Sequence, residues 1–252
     1  MSAKAISREV APARSAVACS VGIMSNPWFH TLGVFDLETT GIDVTSSRIV
    51  SAHVGVIGPD GEVLEQTDWL ADPGIEIPEQ ASAVHGITTA QARAQGRPAA
   101  EVVAEIIAAL SDLFSRVIAV TIYNASYDLS LLAHEARRHG LQGLDQPTPV
   151  IDPLVLDKAV DKYRKGKRTL EAAALHYAVT LVDAHTAGAD AVAAGRVAQA
   201  LARTFPAELA FESAELHAKQ IIWAAEHAAS FQEYMRRTHN PDFTDSGTWP
   251  VR

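Results

Sequence analysis

The 252-residue chain has a single cysteine, few aromatic residues and no long uninterrupted apolar run. One cysteine, Cys19, excludes an intramolecular disulfide framework and a cysteine-based structural zinc site, and favours a reducing, cytoplasmic location. No stretch approaches the roughly 18 consecutive apolar residues of a membrane-spanning helix, so a membrane partner is not expected. Hydrophobic residues still make up 48% of the chain, which predicts one globular domain with modest extensions.

Positive charge is also scarce, because 21 Lys and Arg stand against 30 Asp and Glu and give a net charge of -9. This balance argues against a protein that holds nucleic acid by global charge alone. A phosphate-bearing substrate would need local help, from a basic loop or from metal ions.

The first 28 residues show no stable hydrophobic period, and Arg14 interrupts their apolar stretch. A secretory signal needs a solid apolar segment followed by a small-residue cleavage site. We therefore expect residues 1–28 to be a disordered leader, with the main domain occupying residues 29–205.

Residues 206–252 carry a helical stripe, because Leu209, Leu216 and Trp223 are spaced seven apart. The pattern predicts a helical C-terminal extension that packs on the main domain. The alternative is a helix that binds a partner, either a DNA polymerase or a second copy of the chain.

The middle of the chain alternates between strand-like and helix-like patterns. Strand-like runs predict five strands, over residues 31–36, 48–58, 62–70, 117–122 and 149–152. The turn sequence Gly58-Pro59-Asp60-Gly61 predicts a hairpin between the second and third strands. Helical spacing covers residues 99–114, the segment from Ser126 to Gly140 and most of residues 154–203. These elements indicate an α/β fold, a mixed five-stranded sheet flanked by helices.

Two carboxylates, Asp36 and Glu38, lie two residues apart at the end of the first strand. Alternation along a strand directs both side chains to the same face. Two adjacent acids repel each other, and a hard divalent cation such as Mg²⁺ or Mn²⁺ would stabilise them. The alternative is a strand end that faces solvent and carries two acids without a ligand.

Two later segments offer further candidates for the same site. Asp128 falls in the first turn of the helix that follows the fourth strand, and His185 lies five residues before Asp190 at the opening of the last helix. Each is also compatible with ordinary helix capping, because acids stabilise helix N-termini.

The segments FDLETTG (35–41), NASYDLSLL (124–132) and HTAGADA (185–191) occur in the order and separation of three known motifs. They resemble the exonuclease motifs of the DnaQ-like DEDDh family, which includes bacterial proofreading subunits, RNase T and oligoribonuclease. The likeness extends over residues 30–204. Histidine at position 185 is similar to the DEDDh subgroup, since the sister subgroup has tyrosine there. The resemblance implies an RNase H-like fold.

The resemblance also implies a two-metal-ion 3′–5′ exonuclease. Asp36 would bridge two Mg²⁺ or Mn²⁺ ions, Glu38 and Asp190 would complete one ion site, and Asp128 would support the other. His185 would act as the base toward the attacking water. The expected substrate is the 3′ end of single-stranded DNA in proofreading or repair, with nucleoside 5′-monophosphates as products. An exoribonuclease like RNase T or oligoribonuclease, and a polymerase-associated binding subunit, are the alternatives.

Substrate contacts are expected from residues beside the acids and from a basic loop. Residues 158–168 hold six basic residues and one acid, which favours a role in attracting the strand over that of a solvated loop. His85 could equally be a structural histidine, and Asn124 could bond backbone around its motif. Tyr123 departs from the family, in which many members have histidine. The candidate substrate-binding residues are Leu37, Thr39, His85, Asn124, Lys165, Lys167 and Arg168.

Overall fold

A computed structural model describes residues 27–181 and 184–252. The expected leader therefore lies outside the described residues, apart from Pro27 and Trp28. Trp28 is buried, and its indole N–H donates a 3.0 Å hydrogen bond to the carbonyl of Leu209. Trp28, the last residue of the expected leader, thus contacts the C-terminal extension.

A mixed sheet of six strands forms the centre of the molecule. In chain order the strands are β1 (Leu32–Thr39), β2 (Ile49–Ile57), β3 (Val63–Asp72), β4 (Arg97–Pro98), β5 (Ala119–Thr121) and β6 (Val150–Ile151). Their spatial order is β4-β3-β2-β1-β5-β6. The β1–β2 and β2–β3 pairs are antiparallel, as the predicted hairpin requires, and the other pairs are parallel.

The predicted mixed sheet is confirmed, but it has one strand more than the predicted five. The additional strand, β4, is two residues long and pairs with Ala71 and Asp72 at the end of β3. Two residues are too few to produce a hydrophobic alternation, so no sequence pattern reveals this strand.

Eight helices are seen in the described part of the chain. They are α1 (Glu79–His85), α2 (Thr89–Gln95), α3 (Ala99–Ser115), α4 (Ala125–Arg138), α5 (Pro153–Val160), α6 (Leu170–His176), α7 (Ala187–Thr204) and α8 (Ser213–Thr238). Helices α3 and α4 pack on the sheet face that carries Phe35 and Leu37. Helices α5 to α8 pack on the opposite face, which carries Leu32 and Val34. None of the described helices is long and apolar enough to cross a membrane.

The segment 154–203 is less continuously helical than its alanine content suggests, because it contains three helices, α5 to α7. The side chains of Thr169 and Thr186 accept hydrogen bonds from the backbone N–H groups of Ala172 and Ala189, each three residues further on, and so begin α6 and α7. Gly166 and His185, in the two intervening loops, have φ values of 96° and 68°. Such left-handed backbone conformations do not occur within a right-handed helix.

Helix α8 packs on the main domain through its first half. Leu216 and Gln220 are fully buried, and the Gln220 side chain donates to the Val150 carbonyl and accepts from the Asp152 N–H. It thereby satisfies the backbone groups at the exposed edge of β6. Phe231 and Tyr234, in the second half of the helix, remain partly exposed.

Candidate active site

The end of β1 positions the first two acidic residues. Leu32 and Val34 face helices α5 to α8, and strand alternation directs Asp36 and Glu38 to that same face. Helix α7 comes unusually close to β1, because a Cβ atom on Gly195 would lie 2.6 Å from a methyl group of Val34. This close approach brings the first turn of α7, with Asp190, to the acidic end of β1.

Three carboxylates converge at this point. Oxygen atoms of Asp36, Glu38 and Asp190 lie within 4.8 Å of one another. Asp128, in the first turn of α4, joins them from the other side of the sheet: it is only 3% exposed, and its charge is the strongest of those that act on Asp36. The structure therefore brings together all four acids that the three motifs predicted.

The cluster is electrostatically costly when no cation is bound. Burial, followed by the charges of Asp128, Glu38 and Asp190, raises the pKa of Asp36 well above its ordinary value. Burial also raises the pKa values of Asp128 and Asp190, and burial together with the Asp190 charge raises the pKa of Glu38 to about 7. Four oxygen-donor side chains with this mutual repulsion fit hard divalent cations such as Mg²⁺ or Mn²⁺.

His185 lies beside this cluster. Its backbone N–H is 3.3 and 3.4 Å from the two carboxylate oxygens of Asp190. Its imidazole is partly exposed, and Nε2 is 3.5 Å from Oε1 of Glu171 at the start of α6. Glu171 was not predicted as a site residue, because nothing in its local pattern relates it to position 185. The arrangement places an accessible imidazole next to the carboxylates, with a further carboxylate that orients it.

A cavity of about 1030 Å³ opens beside Glu38. Four of the candidate substrate-binding residues line it, namely Leu37, Thr39, His85 and Asn124. Burial lowers the pKa of His85, so its ring is neutral near pH 7. Its Nδ1 accepts a hydrogen bond from the Ile87 N–H, and its ring also interacts with the backbone of Thr39 on the wall of the same cavity.

Tyr127, like Glu171, is a residue of the site that was not predicted from the sequence. Its hydroxyl lies 2.6 Å from Oγ1 of Thr39 and donates to the carbonyl of Gly41 at 2.5 Å. These bonds join the end of β1 to the first turn of α4. Tyr127 therefore fixes the two motifs relative to each other on the wall of the cavity.

Asp152 holds the start of α4 in place without being part of the acidic cluster. Its buried carboxylate accepts hydrogen bonds from the backbone N–H groups of Asn124, Ala125 and Leu154 and from the indole of Trp249. Because Asn124 has a left-handed backbone (φ 63°), the turn before α4 needs such support. Asp152 thereby positions Asp128.

The basic loop is not brought to the acidic cluster as a unit. Arg168 bonds the buried Asp157 at 2.6 Å, and Arg164 bonds the same carboxylate at 2.7 Å. The hydroxyl of Tyr123, the residue just before the NASYDLSLL motif, donates a hydrogen bond to the Arg168 carbonyl and so holds the loop against that motif. Lys165 and Lys167 are exposed, and the charge of Lys167 acts on Glu171, the carboxylate next to His185.

Comparison with known protein families identifies the group to which these features belong. The sequence model of the RNase T-type exonuclease family matches residues 34–198, a span that holds all four acids and His185. The chain belongs to this exonuclease family. The match confirms the resemblance to the DnaQ-like group that the three motifs indicated.

Relatives of the exonuclease domain occur in bacterial replication proteins. A DNA polymerase III PolC-type protein of Lacticaseibacillus paracasei is 31% identical over 168 residues, 67% of this chain and 11% of that protein. A DNA polymerase III subunit epsilon-like protein of Rhodobacter capsulatus is 33% identical over 181 residues, 70% of this chain and 24% of that protein. The chain thus matches only a small part of each relative.

Solved structures of exonuclease I share the fold. One of them has a TM-score of 0.61 at 19% identity, covering 80% of this chain and 45% of its own. E. coli exonuclease I in complex with a dT13 oligonucleotide has a TM-score of 0.59 at 20% identity, covering 70% of this chain and 42% of its own. At this identity the likeness concerns the arrangement of helices and strands.

Proposed function

We propose that this protein is a metal-dependent 3′–5′ exonuclease that releases nucleoside 5′-monophosphates from the 3′ end of single-stranded DNA. The observation that carries the proposal is the convergence of Asp36, Glu38, Asp128 and Asp190, with His185 beside them, next to a cavity that Glu38 lines. Membership of the exonuclease family supports the same reaction class.

The four carboxylates would hold divalent cations. Asp36, on which the charges of Asp128, Glu38 and Asp190 all act, would be shared between two ions, with Glu38 and Asp190 completing one site and Asp128 supporting the other. Such ions would supply positive charge that stabilises the attacking and leaving oxygens of an in-line displacement at phosphorus.

His185 takes the proton of the attacking water. The carboxylate of Glu171 is 3.5 Å from Nε2 and orients the ring, and an imidazole held in place is a common general base. The bond that breaks joins the phosphorus to the 3′ oxygen of the penultimate nucleotide.

The cavity beside Glu38 receives the terminal nucleotide. Leu37 supplies an apolar contact, Thr39 a hydroxyl, and His85 an imidazole edge. Asn124 also lines the cavity. Lys165 and Lys167 are exposed cations of the basic loop that are available to the strand. Arg168, whose donors are engaged by Asp157 and backbone carbonyls, contributes charge.

The names of the similar proteins favour DNA over RNA. The related sequences are parts of DNA polymerase III proteins, and the similar exonuclease I was solved with deoxyoligonucleotides. We therefore place the activity in proofreading or repair, with a DNA polymerase as the partner to be tested by co-purification.

A time course with matched 5′-labelled DNA and RNA strands, in Mg²⁺, Mn²⁺ or EDTA, tests the proposal. We expect a ladder that shortens from the 3′ end of DNA, requires a divalent cation, and is slower on RNA. Purified Asp36→Asn serves as the control for contaminating nucleases. Cleavage that persists in EDTA, or in the variant, would overturn the metal assignment, and faster cleavage of RNA would transfer the proposal to an exoribonuclease.

A further inference from the structure

The substrate cavity does not end at the family domain. It shares Asn124 and Arg252 with a second cavity, formed between α5, α8 and the segment 245–252. That second cavity shares Lys158, Trp223 and His227 with a third, of about 400 Å³, between α5 and α8. The shared residues place the three cavities next to one another, in a row that begins beside Glu38 and runs along the C-terminal extension. We call the part formed by the second and third cavities the tail groove.

The tail groove is rich in cations in a chain that has few. Arg252 lies at its junction with the substrate cavity, and Lys158, Lys162 and Arg168 follow along α5 and the loop after it. Of the carboxylates in its walls, Asp152 is saturated by N–H donors, while Asp245 and Glu226 are exposed on the α8 side. Trp223 adds an indole to the wall. Cations with an aromatic surface are the usual lining of a path for single-stranded nucleic acid.

The position of Arg252 is fixed by the fold. Trp249 is buried against the main domain, and its indole donates to Asp152, the residue that holds the start of α4. The Arg252 N–H then donates to Ser130 Oγ, and its guanidinium donates to Ser126 Oγ at 2.8 Å. Both serines lie on α4, the helix that carries Asp128. The C-terminal segment thereby delivers a guanidinium to the rim of the substrate cavity.

We propose that the tail groove binds the single strand upstream of the nucleotide being removed, with Arg252, Lys158 and Lys162 contacting its phosphates. The inference rests on the proposed exonuclease function and adds to it a binding surface formed between α5 of the family domain and residues beyond position 198, where the family match ends. Guanidinium and ammonium groups suit this task, since each neutralises a backbone phosphate without reading a base.

The dependence of KM on substrate length tests the proposal. Wild-type protein is compared with Lys158→Gln/Lys162→Gln on deoxythymidine oligomers of about 2 to about 12 nucleotides, a range that spans typical single-strand site sizes. We expect the KM ratio of variant to wild type to rise with length to about tenfold. The slope of log KM against log salt concentration should decrease by about 0.7 for each phosphate contact removed.

Two further variants separate binding from folding. Lys158→Arg/Lys162→Arg keeps both charges and is expected to retain the wild-type length dependence. Arg237→Gln removes one charge from the exposed end of α8, outside the three cavities, and is expected to leave KM unchanged at every length. Thermal melting of each variant reports whether it is folded.

The outcomes also separate this proposal from the exonuclease proposal. The tail-groove proposal is refuted if the KM of the wild type does not depend on substrate length, or if the Lys158/Lys162 and Arg237 variants change KM equally. Either result leaves the exonuclease proposal in place. If the wild type cleaves no substrate of any length, the exonuclease proposal fails instead. The groove is then tested by fluorescence anisotropy with labelled oligomers in Ca²⁺, where the same length dependence of Kd supports it and its absence refutes it.

Discussion

Asp36 occupies the least favourable electrostatic position in the acidic cluster, because burial and the charges of three neighbouring carboxylates all raise its pKa. Replacing it by asparagine removes the charged form and keeps the shape. We expect Asp36→Asn to abolish cleavage, yet to raise the Tm in EDTA by about 2–4 °C, the shift that ~1 kcal/mol gives in a protein of this size. Scanning calorimetry with and without Mg²⁺ measures this. A variant that Mg²⁺ stabilises as much as the wild type would contradict the role of Asp36 as the bridging ligand.

The raised pKa of Glu38 predicts a pH dependence of stability. Its pKa is about 7 in the folded protein and about 4.3 in an unfolded chain. Between these values the folded state retains a proton that the unfolded state has lost, so the contribution of Glu38 to the free energy of unfolding falls as pH rises. Urea unfolding in EDTA at about pH 5 and about pH 8 should therefore show a smaller loss of stability in Glu38→Gln than in the wild type. Equal losses in the two proteins would refute the shift.

As the proposed base, His185 is expected to contribute to the rate rather than to binding. We expect His185→Gln to lower kcat by about 100-fold or more, since general-base catalysis contributes about 10²–10⁴. The affinity for a single-stranded oligomer in Ca²⁺ should be unchanged, because the lost group acts on water. Single-turnover rates and fluorescence anisotropy separate the two quantities, and a variant with normal kcat would assign the proton transfer to another group.

Among the structural elements, the segment joining α5 to α6 depends on one buried carboxylate. Burial opposes the ionised form of Asp157, but hydrogen bonds from Arg164, Tyr177 and Arg168 outweigh it and lower its pKa. The interaction is therefore complete above the ordinary aspartate pKa and is lost as pH falls through the lowered value.

Removing the charge of Asp157 tests whether its ion pairs stabilise the segment between α5 and α6. Asp157→Asn leaves two guanidinium groups without their anion, and we expect it to lower the free energy of unfolding by about 3 kcal/mol near pH 7. The difference from the wild type should shrink in acid, where Asp157 of the wild type becomes protonated. Denaturant titrations at several pH values measure it, with Asp161→Asn as a matched control on the same loop. A pH-independent difference would show that packing, not charge, is responsible.

At the scale of the whole molecule, the C-terminal extension is part of the core. Leu209 and Leu216 belong to the same buried cluster as Trp28, and Trp249 belongs to the cluster on the other sheet face. Residues 206–252 therefore cover both faces of the sheet, although the sequence marks them as an extension beyond the exonuclease domain.

Truncation after residue 205 measures this dependence. We expect the shortened protein to melt at least ten degrees lower or to be recovered unfolded, since it exposes apolar surface on both sides of the sheet, at about 25 cal/mol per Å². Trp249→Ala is the milder variant, with an expected loss of about 3–5 kcal/mol. A truncated protein with wild-type Tm would show that residues 29–205 fold independently, as the domain boundaries predicted from the sequence imply.

The acidic residues and the histidine of the candidate site could be predicted from the sequence. A strand places Asp36 and Glu38 on one face, and the motifs that contain Asp128, His185 and Asp190 are contiguous segments. Alternation and helical spacing likewise gave the mixed sheet, the hairpin and most helices, since these depend on near neighbours in the chain. Contacts between segments that are distant in the chain leave no periodic pattern in the sequence. Four features depend on how elements far apart in the sequence pack together, and only the tertiary structure decided them. They are the pairing of Glu171 with His185, the hydrogen bonds that Asp157 accepts, the two-residue strand β4, and the position of Arg252 at the substrate cavity.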